Sequence, residues 1–148
     1  MPKRGPVQNE ELLGGISYGK LGVNEIYFRV PLLMLPRRTG VDASATGVKI
    51  SELRIPFSAK HVKRLALRSQ ITAITAGVTF RVGVYNVTAG AYVIYRDYTA
   101  TGENEDAITA GFPADGNLLE LRGECTVAAA GGTVDINYLL AYVEYGVS

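Results

Sequence analysis

The stretch Val78-Thr-Phe-Arg-Val-Gly-Val-Tyr85 decides the fold class, because apolar side chains occupy every second position in it. A period of two is that of a β-strand with one face in a core and the other toward water or a partner. The same alternation returns between Leu119 and Val127. The second half of the chain therefore predicts long, half-buried strands separated by turns rich in Gly, Ala and Thr.

Further strands follow from the same pattern along the rest of the chain. They are expected at about residues 26–34, 48–57, 64–71, 78–87, 91–98, 117–127 and 133–145, with a weaker one near 106–112. No apolar repeat at helical spacing lasts the ten or more residues that a helix needs. We expect an all-β antiparallel sandwich, with a jelly roll as the first interpretation and an immunoglobulin-like sandwich as the second.

Several local signals interrupt the strands. Pro31 cannot donate a ladder hydrogen bond, which suggests an edge strand or a break, and residues 36–46 are predicted to be a polar loop. A change of apolar phase near residues 51–52 suggests a bulge. Residues 86–90 and 129–132 have the composition of hairpin loops.

The length of 148 residues fits one domain with a sizeable core. Residues 1–14 carry two prolines and mixed charge, so they are predicted to form an extended N-terminal arm, and residues 15–148 a single β-sandwich domain. The one cysteine, Cys125, falls on the apolar side of its strand and is expected to be a buried hydrophobic residue.

Charge is unevenly distributed along the chain. Residues 1–70 have a net charge of +7 and residues 71–148 a net charge of −6. Either the molecule is electrically polar and packs on copies of itself or on a charged partner, or strands from the two halves interleave and mix their charges. Six basic residues could form a patch for an anionic partner, either nucleic acid or an acidic neighbour: Arg37, Arg38, Lys60, Lys63, Arg64 and Arg68. No nucleic-acid-binding motif accompanies them.

Groups suited to catalysis are scarce. His61 is the only histidine, so neither a histidine-centred metal cluster nor a Cys–His pair can form within one chain. Glu103 to Asp106 lacks calcium-loop spacing and is interpreted as a solvated loop. Glu120 and Glu124 are predicted on the outer face of one strand, about 13 Å apart and too distant for glycoside hydrolysis. We expect no catalytic residues, no cofactor and no metal, and hence no enzyme.

The last predicted strand contains the candidate subunit interface. Between Thr133 and Asn137 it alternates, but from Tyr138 to Val143 both faces are apolar. Apolar surface of that kind calls for cover by a loop, by the arm or by another subunit. The interface residues expected for a homo-oligomer are Tyr138, Leu139, Ala141 and Val143.

Three runs carry a resemblance to a known class of protein: 80–86, 119–122 and 138–141. They resemble small jelly-roll proteins, which include virion proteins and carbohydrate-binding modules. In size and layout the chain is similar to capsid decoration (cement) proteins of tailed phages. That resemblance implies a non-enzymatic structural protein of the virion that assembles, as a trimer, on a capsid or shell protein.

The alternative function is that of a carbohydrate-binding β-sandwich. Its stacking platforms would be Tyr85, Tyr92, Tyr95 or Tyr98. The basic N-terminus is followed by no apolar stretch of signal-peptide length, and apolar runs elsewhere are too short to cross a bilayer. We therefore expect synthesis in the cytoplasm, no membrane partner, and residence in a virion.

Overall fold

The computed structural model describes the backbone of residues 17–21 and 25–147 and the side chains of residues 28–146. These residues form ten strands and no helix, so the prediction of an all-β antiparallel sandwich is confirmed. The predicted arm, residues 1–14, lies outside the described residues. The strands are β1 (Ser17–Leu21), β2 (Glu25–Leu35), β3 (Arg38–Asp42), β4 (Gly47–Pro56), β5 (Val62–Ile74), β6 (Thr79–Asn86), β7 (Ala91–Tyr98), β8 (Gly102–Ile108), β9 (Leu118–Val127) and β10 (Thr133–Val147).

The strands form two antiparallel sheets. The first sheet has the order β1-β2-β10-β5-β8, and β3 pairs with β10. The second sheet has the order β4-β9-β6-β7. Apart from the β6–β7 hairpin and the two connections before β3, each connection crosses from one sheet to the other.

The core lies between the sheets, where most inward positions of β5, β6, β9 and β10 are apolar. Phe80, Val82 and Val84 of β6 are fully buried, as are Leu65 and Leu67 of β5. Cys125 is buried as predicted, and its thiol donates weakly to the carbonyl oxygen of Ala43. Alternation in the sequence therefore translates directly into a two-layer core.

Strand β10 changes phase part of the way along its length. Val134 and Ile136 point into the core, and so do Leu139 and Ala141. Ile136 and Leu139 are three residues apart and would point to opposite faces of a regular strand. The change occurs at a register shift between Ile136 and Tyr138 in the pairing with β5. An extra residue at a bulge exchanges the two faces of a strand. The bulge therefore explains why both faces of β10 look apolar in the sequence. Leu139 and Ala141 continue the inner face begun by Val134 and Ile136, and Tyr138 and Tyr142 lie on the outer face.

Three local predictions are corrected by the structure. The predicted loop 36–46 contains β3, because Val41 packs against the core and Asp42 pairs with Thr133 of β10. Residues 129–132 connect strands of different sheets, so they form a crossover and not a hairpin loop. The weak strand near 106–112 is β8, which begins earlier because its pairing with β5 starts at Gly102.

Other local predictions are confirmed. The β6–β7 connection is a hairpin, with Asn86 opposite Ala91. A register shift lies between Glu52 and Arg54, close to the predicted bulge. Pro31 lies just beyond Arg29, where the pairing of β2 with β1 ends, and beside a bulge in the β2–β10 pairing.

Candidate interaction surface

The four residues predicted as a subunit interface lie on different sides of the first sheet. Leu139, Ala141 and Val143 have no exposed surface and are covered by the second sheet of the same chain. These three side chains therefore cannot contact another subunit, and their prediction as interface residues is wrong because the bulge in β10 turns them toward the core. Tyr138 lies on the outer face, where its hydroxyl donates to the carboxylate of Glu103.

Arginines and carboxylates cover the outer face of the first sheet around Tyr142. The guanidinium groups of Arg29 and Arg64 lie 4.7 and 5.7 Å from the centre of the Tyr142 ring, and Arg64 donates to its hydroxyl at 2.6 Å. Glu144 accepts from Arg29 at 2.9 Å and lies 3.5 Å from Arg64. Tyr142 is only 2% exposed, so the chain itself covers this aromatic side chain.

The six predicted patch residues are not brought together. Arg38 pairs in register with Ile136, whereas Lys63 lies against Gly146 near the other end of β10. Ten residues of strand separate these positions, which corresponds to about 33 Å. Arg37 and Lys60 are exposed.

Three of the six patch residues are also engaged with carboxylates. Arg38 pairs with Glu52, and Arg64 and Arg68 pair with Glu105 at 2.7 and 3.5 Å. The hydrogen bond from Arg64 is the main reason that the pKa of Glu105 lies below its ordinary value.

Ion pairs join the basic first half of the chain to its acidic second half. Arginines from residues 29–68 pair with acids from residues 105–144. These pairs are Arg29–Glu144, Arg54–Glu120, Arg64–Glu105, Arg64–Glu144 and Arg68–Glu105. The interpretation that interleaved strands mix the charges is therefore confirmed.

Glu103 to Asp106, interpreted from the sequence as a solvated loop, forms part of β8. Asp106 accepts two hydrogen bonds from Arg96 of β7, at 3.0 and 2.6 Å. This ion pair joins neighbouring edges of the two sheets. In the part of the chain that the structure describes, no group of three or more His, Cys, Asp or Glu residues is placed to hold a metal ion.

A cluster of tyrosine and arginine side chains lies on the outer face of the second sheet. We call it the tyrosine–arginine face, and its members are Arg81, Tyr85, Tyr92, Tyr95 and Arg122. Strands β9, β6 and β7 are adjacent, so the outward positions of Arg122, Tyr85 and Tyr92 come together. Of the four tyrosines proposed as platforms, three belong to this face.

The rings of this face contact one another at their edges. The centre of the Tyr92 ring lies 5.1 Å from that of Tyr85 and 5.7 Å from that of Tyr95, in edge-to-face geometry. The hydroxyl of Tyr92 donates to Glu124 at 2.7 Å. Burial, together with this bond to a carboxylate, raises the pKa of Tyr92, which keeps its hydroxyl protonated.

Guanidinium groups lie over the tyrosine rings. The Arg122 guanidinium carbon is 3.4 Å from the centre of the Tyr85 ring, and that of Arg81 is 4.0 Å from the centre of the Tyr95 ring. Arg81 is held in place by two bonds to Asp97, at 2.8 and 3.1 Å. Tyr95 remains 48% exposed. The chemistry offered here is stacking and cation–π contact.

A buried carboxylate supports this face from within the second sheet. Glu120 is 1% exposed and accepts hydrogen bonds from Ser51, from Arg54 at 3.0 Å and from Arg122 at 3.0 Å. Burial alone would raise the pKa of Glu120, but these three donors outweigh it and the pKa is lowered. The carboxylate therefore stays charged and fixes Arg122 in place.

Tyr98, the fourth predicted platform, lies in the core. Its hydroxyl is 2.6 Å from the hydroxyl of Ser69 and accepts a hydrogen bond from Asn104 at 3.2 Å. Sequence reasoning missed Arg81 and Arg122 as members of the tyrosine–arginine face. The alternation in β6 could have indicated Arg81, because Arg81 and Tyr85 occupy the face of the strand opposite to Phe80 and Val82.

Comparison with known proteins adds little to this description. No protein-family model matches the chain, and no curated protein matches it. A solved structure described as "BiXyn10A CBM1 APO" is similar, with 15% sequence identity and a TM-score of 0.38 over 76% of this chain and 94% of that one. A likeness at this level assigns neither fold family nor function. Among the described residues, no helix is long and apolar enough to span a membrane.

Proposed function

We propose that this protein is a non-catalytic structural protein that assembles with copies of itself, as a trimer, and binds the shell of a virus particle or a similar protein shell. The observation that carries the proposal is the tyrosine–arginine face. Tyrosine and arginine are enriched at protein interfaces and among the residues that dominate binding energy. This face takes the place of the Tyr138–Val143 region as the proposed contact between subunits.

The strand order supports the finer proposal that the sandwich is a jelly roll. Strands β2 and β3 both pair with β10, along different parts of its length, so they can be counted as one edge strand. The strand orders of the two sheets are then β2/β3-β10-β5-β8 and β4-β9-β6-β7. Eight strands in two sheets, linked mostly by crossovers, are the arrangement of two combined Greek keys. Jelly rolls occur in viral capsid and lectin domains, so the fold is compatible with either function by analogy only.

The state of assembly tests the proposed contact. Sedimentation velocity of the full chain at micromolar concentration should show an oligomer, and Tyr95→Ala should shift it toward the monomer by removing a half-exposed ring. Arg38→Ala is the control, because Arg38 contributes an exposed ion pair outside this face. A monomeric wild-type protein would contradict the proposal, and so would equal effects of the two substitutions.

The shell partner needs a separate test. Electron microscopy of particles purified from cells that make this protein, labelled with an antibody against it, should show label on intact particles. Particles that carry no label would contradict the assignment to a shell while leaving the subunit contact standing.

Carbohydrate binding is the second candidate function, and the half-exposed ring of Tyr95 is the observation in its favour. Guanidinium groups already lie over the rings of Tyr95 and Tyr85, which limits the area left for a sugar. A glycan array probed with wild type and Tyr95→Ala should give hits that the substitution abolishes. An array without hits would remove this candidate for the tyrosine–arginine face.

A further inference from the structure

A concave site lies at one end of the sandwich, between the β6–β7 turn and the loop that connects β8 to β9. Its volume is about 360 Å³, toward the lower end of the range for small-molecule sites. The residues that matter to its chemistry are Asn86, Tyr92, Phe112, Pro113 and Asn117. Apart from Tyr92, which borders both, the site is separate from the tyrosine–arginine face.

The lining combines aromatic rings with amide groups. Tyr92 and Phe112 supply the rings, and Asn86 and Asn117 supply the amides. No charged side chain lines the site among the described residues. Phosphates and carboxylates are bound through arginine or lysine in most proteins, so the lining favours a neutral ligand. An amide both donates and accepts hydrogen bonds, which suits hydroxyl groups.

The amide of Asn86 is fixed in place. Its side chain is 6% exposed, and its Oδ1 accepts the backbone N–H of Ala89 at 3.0 Å. Its backbone carbonyl accepts from Gly90 at 2.8 Å. No hydrogen bond is made by Nδ2 to any residue for which the structure describes the side chain, so this donor remains available to a ligand that enters the site. Among the described residues no buried side-chain nitrogen or oxygen lacks a hydrogen-bond partner, so Nδ2 is open to solvent and can be reached by a ligand.

Backbone hydrogen bonds hold the two walls of the site together. The N–H of Val87 donates to the carbonyl of Leu118 at 2.8 Å, and the N–H of Leu118 donates to the hydroxyl of Thr88 at 2.9 Å. On the other wall, the carbonyl of Asn117 accepts from Phe57 at 2.8 Å. A site whose walls are already ordered loses less entropy when it binds a ligand.

We infer that this site binds one neutral pyranose ring, with its apolar face against Phe112 and its hydroxyl groups hydrogen-bonded to Asn86 and Asn117. A pyranose has one apolar face and a rim of hydroxyl groups, which matches walls of aromatic rings and amides. The small volume favours a single sugar residue over a chain. This inference concerns a site separate from the proposed subunit contact and does not depend on it.

The test is a titration of the ¹⁵N-labelled full chain with methyl pyranosides of glucose, galactose, mannose, xylose and N-acetylglucosamine. At least one should cause saturable shifts in the amide signals of residues 86–93 and 111–117, with a dissociation constant on the order of 1 mM. Asn117→Ala should weaken that binding about tenfold, since it removes hydrogen bonds to the sugar. The Asn117 side chain makes no hydrogen bond within the part of the chain that the structure describes, so this variant should fold.

Tyr95→Ala is the matched control, because Tyr95 belongs to the tyrosine–arginine face and does not line the site. It should leave the affinity for the sugar unchanged even if it abolishes assembly or hits on a glycan array. The inference is overturned if none of the five sugars causes shifts in these segments. It is also overturned if binding survives Asn117→Ala unchanged.

Discussion

The guanidinium carbon of Arg122 lies 3.4 Å above the centre of the Tyr85 ring. The same guanidinium group donates to Glu120, which is buried beneath it in the second sheet. A buried carboxylate thus determines the position of an arginine, and the arginine determines which face of a tyrosine remains open. The arrangement of Arg122 and Tyr85 on the tyrosine–arginine face therefore depends on Glu120, which is buried and is not part of that face.

Substitution of Glu120 tests this dependence. Glu120→Ala leaves Arg122 without its carboxylate and should lower the free energy of unfolding by about 3 kcal/mol, the lower end of the range for a broken buried ion pair. Urea denaturation measures the change. Glu52→Ala removes an acid whose ion pair with Arg38 is exposed, and it should cost no more than about 1 kcal/mol. Equal losses in the two variants would contradict the role assigned to Glu120.

The stability of the fold should also depend on pH through its paired carboxylates. The pKa of Glu105 is lowered chiefly by the bond from Arg64, and that of Glu120 is lowered because its three donors outweigh burial. A lowered folded-state pKa means that the unfolded chain binds protons first as the pH falls. These two carboxylates should therefore contribute their full stabilisation well above the ordinary glutamate value of 4.5 and lose it progressively as the pH falls through and below that value.

Urea midpoints measured across the acidic range would check this dependence. In the double variant Glu105→Gln and Glu120→Gln, neither position titrates, so the decrease below that pH should be shallower than in the wild type. Parallel curves for wild type and variant would show that other groups are responsible for the acid sensitivity.

The sequence predicts strands well where alternation is unbroken and local. Strand β7 has the predicted bounds, because turn residues lie on both sides of it. The face of Leu139 could not be read from the sequence, since the bulge that shifts β10 is set by pairing with β5. The tyrosine–arginine face was only partly predictable for a related reason. Arg122 and Tyr85 come together through the adjacency of β9 and β6, and no local pattern contains that information.

Gly83 marks a close approach within the second sheet. A Cβ atom at this position would lie 2.6 Å from the carbonyl oxygen of Ile94 and 2.7 Å from the ring of Tyr92. The backbone of β7 cannot move away without breaking its pairing with β6, so Gly83→Ala should cost about 2 kcal/mol through overpacking. Thermal or urea unfolding of Gly102→Ala is the control, because its added Cβ would meet nothing closer than 3.8 Å. Similar stabilities for the two variants would contradict the proposed clash.

Leu53 carries backbone strain at the bulge of β4, an edge strand of the second sheet. Its φ is 49°, in the left-handed region that a bulky residue rarely adopts, and its side chain is 71% exposed. Little apolar burial would be lost in Leu53→Gly, and the strain would be relieved, so the free energy of unfolding should rise by about 1 kcal/mol. Val48→Gly is the matched control, since Val48 is an exposed residue of the same strand without a positive φ. It should lower the free energy of unfolding by about 0.5 to 1 kcal/mol, because glycine costs more conformational entropy in a strand. Urea denaturation of both variants checks the prediction, and a loss of stability in Leu53→Gly as large as that in Val48→Gly would show that the bulge is not strained.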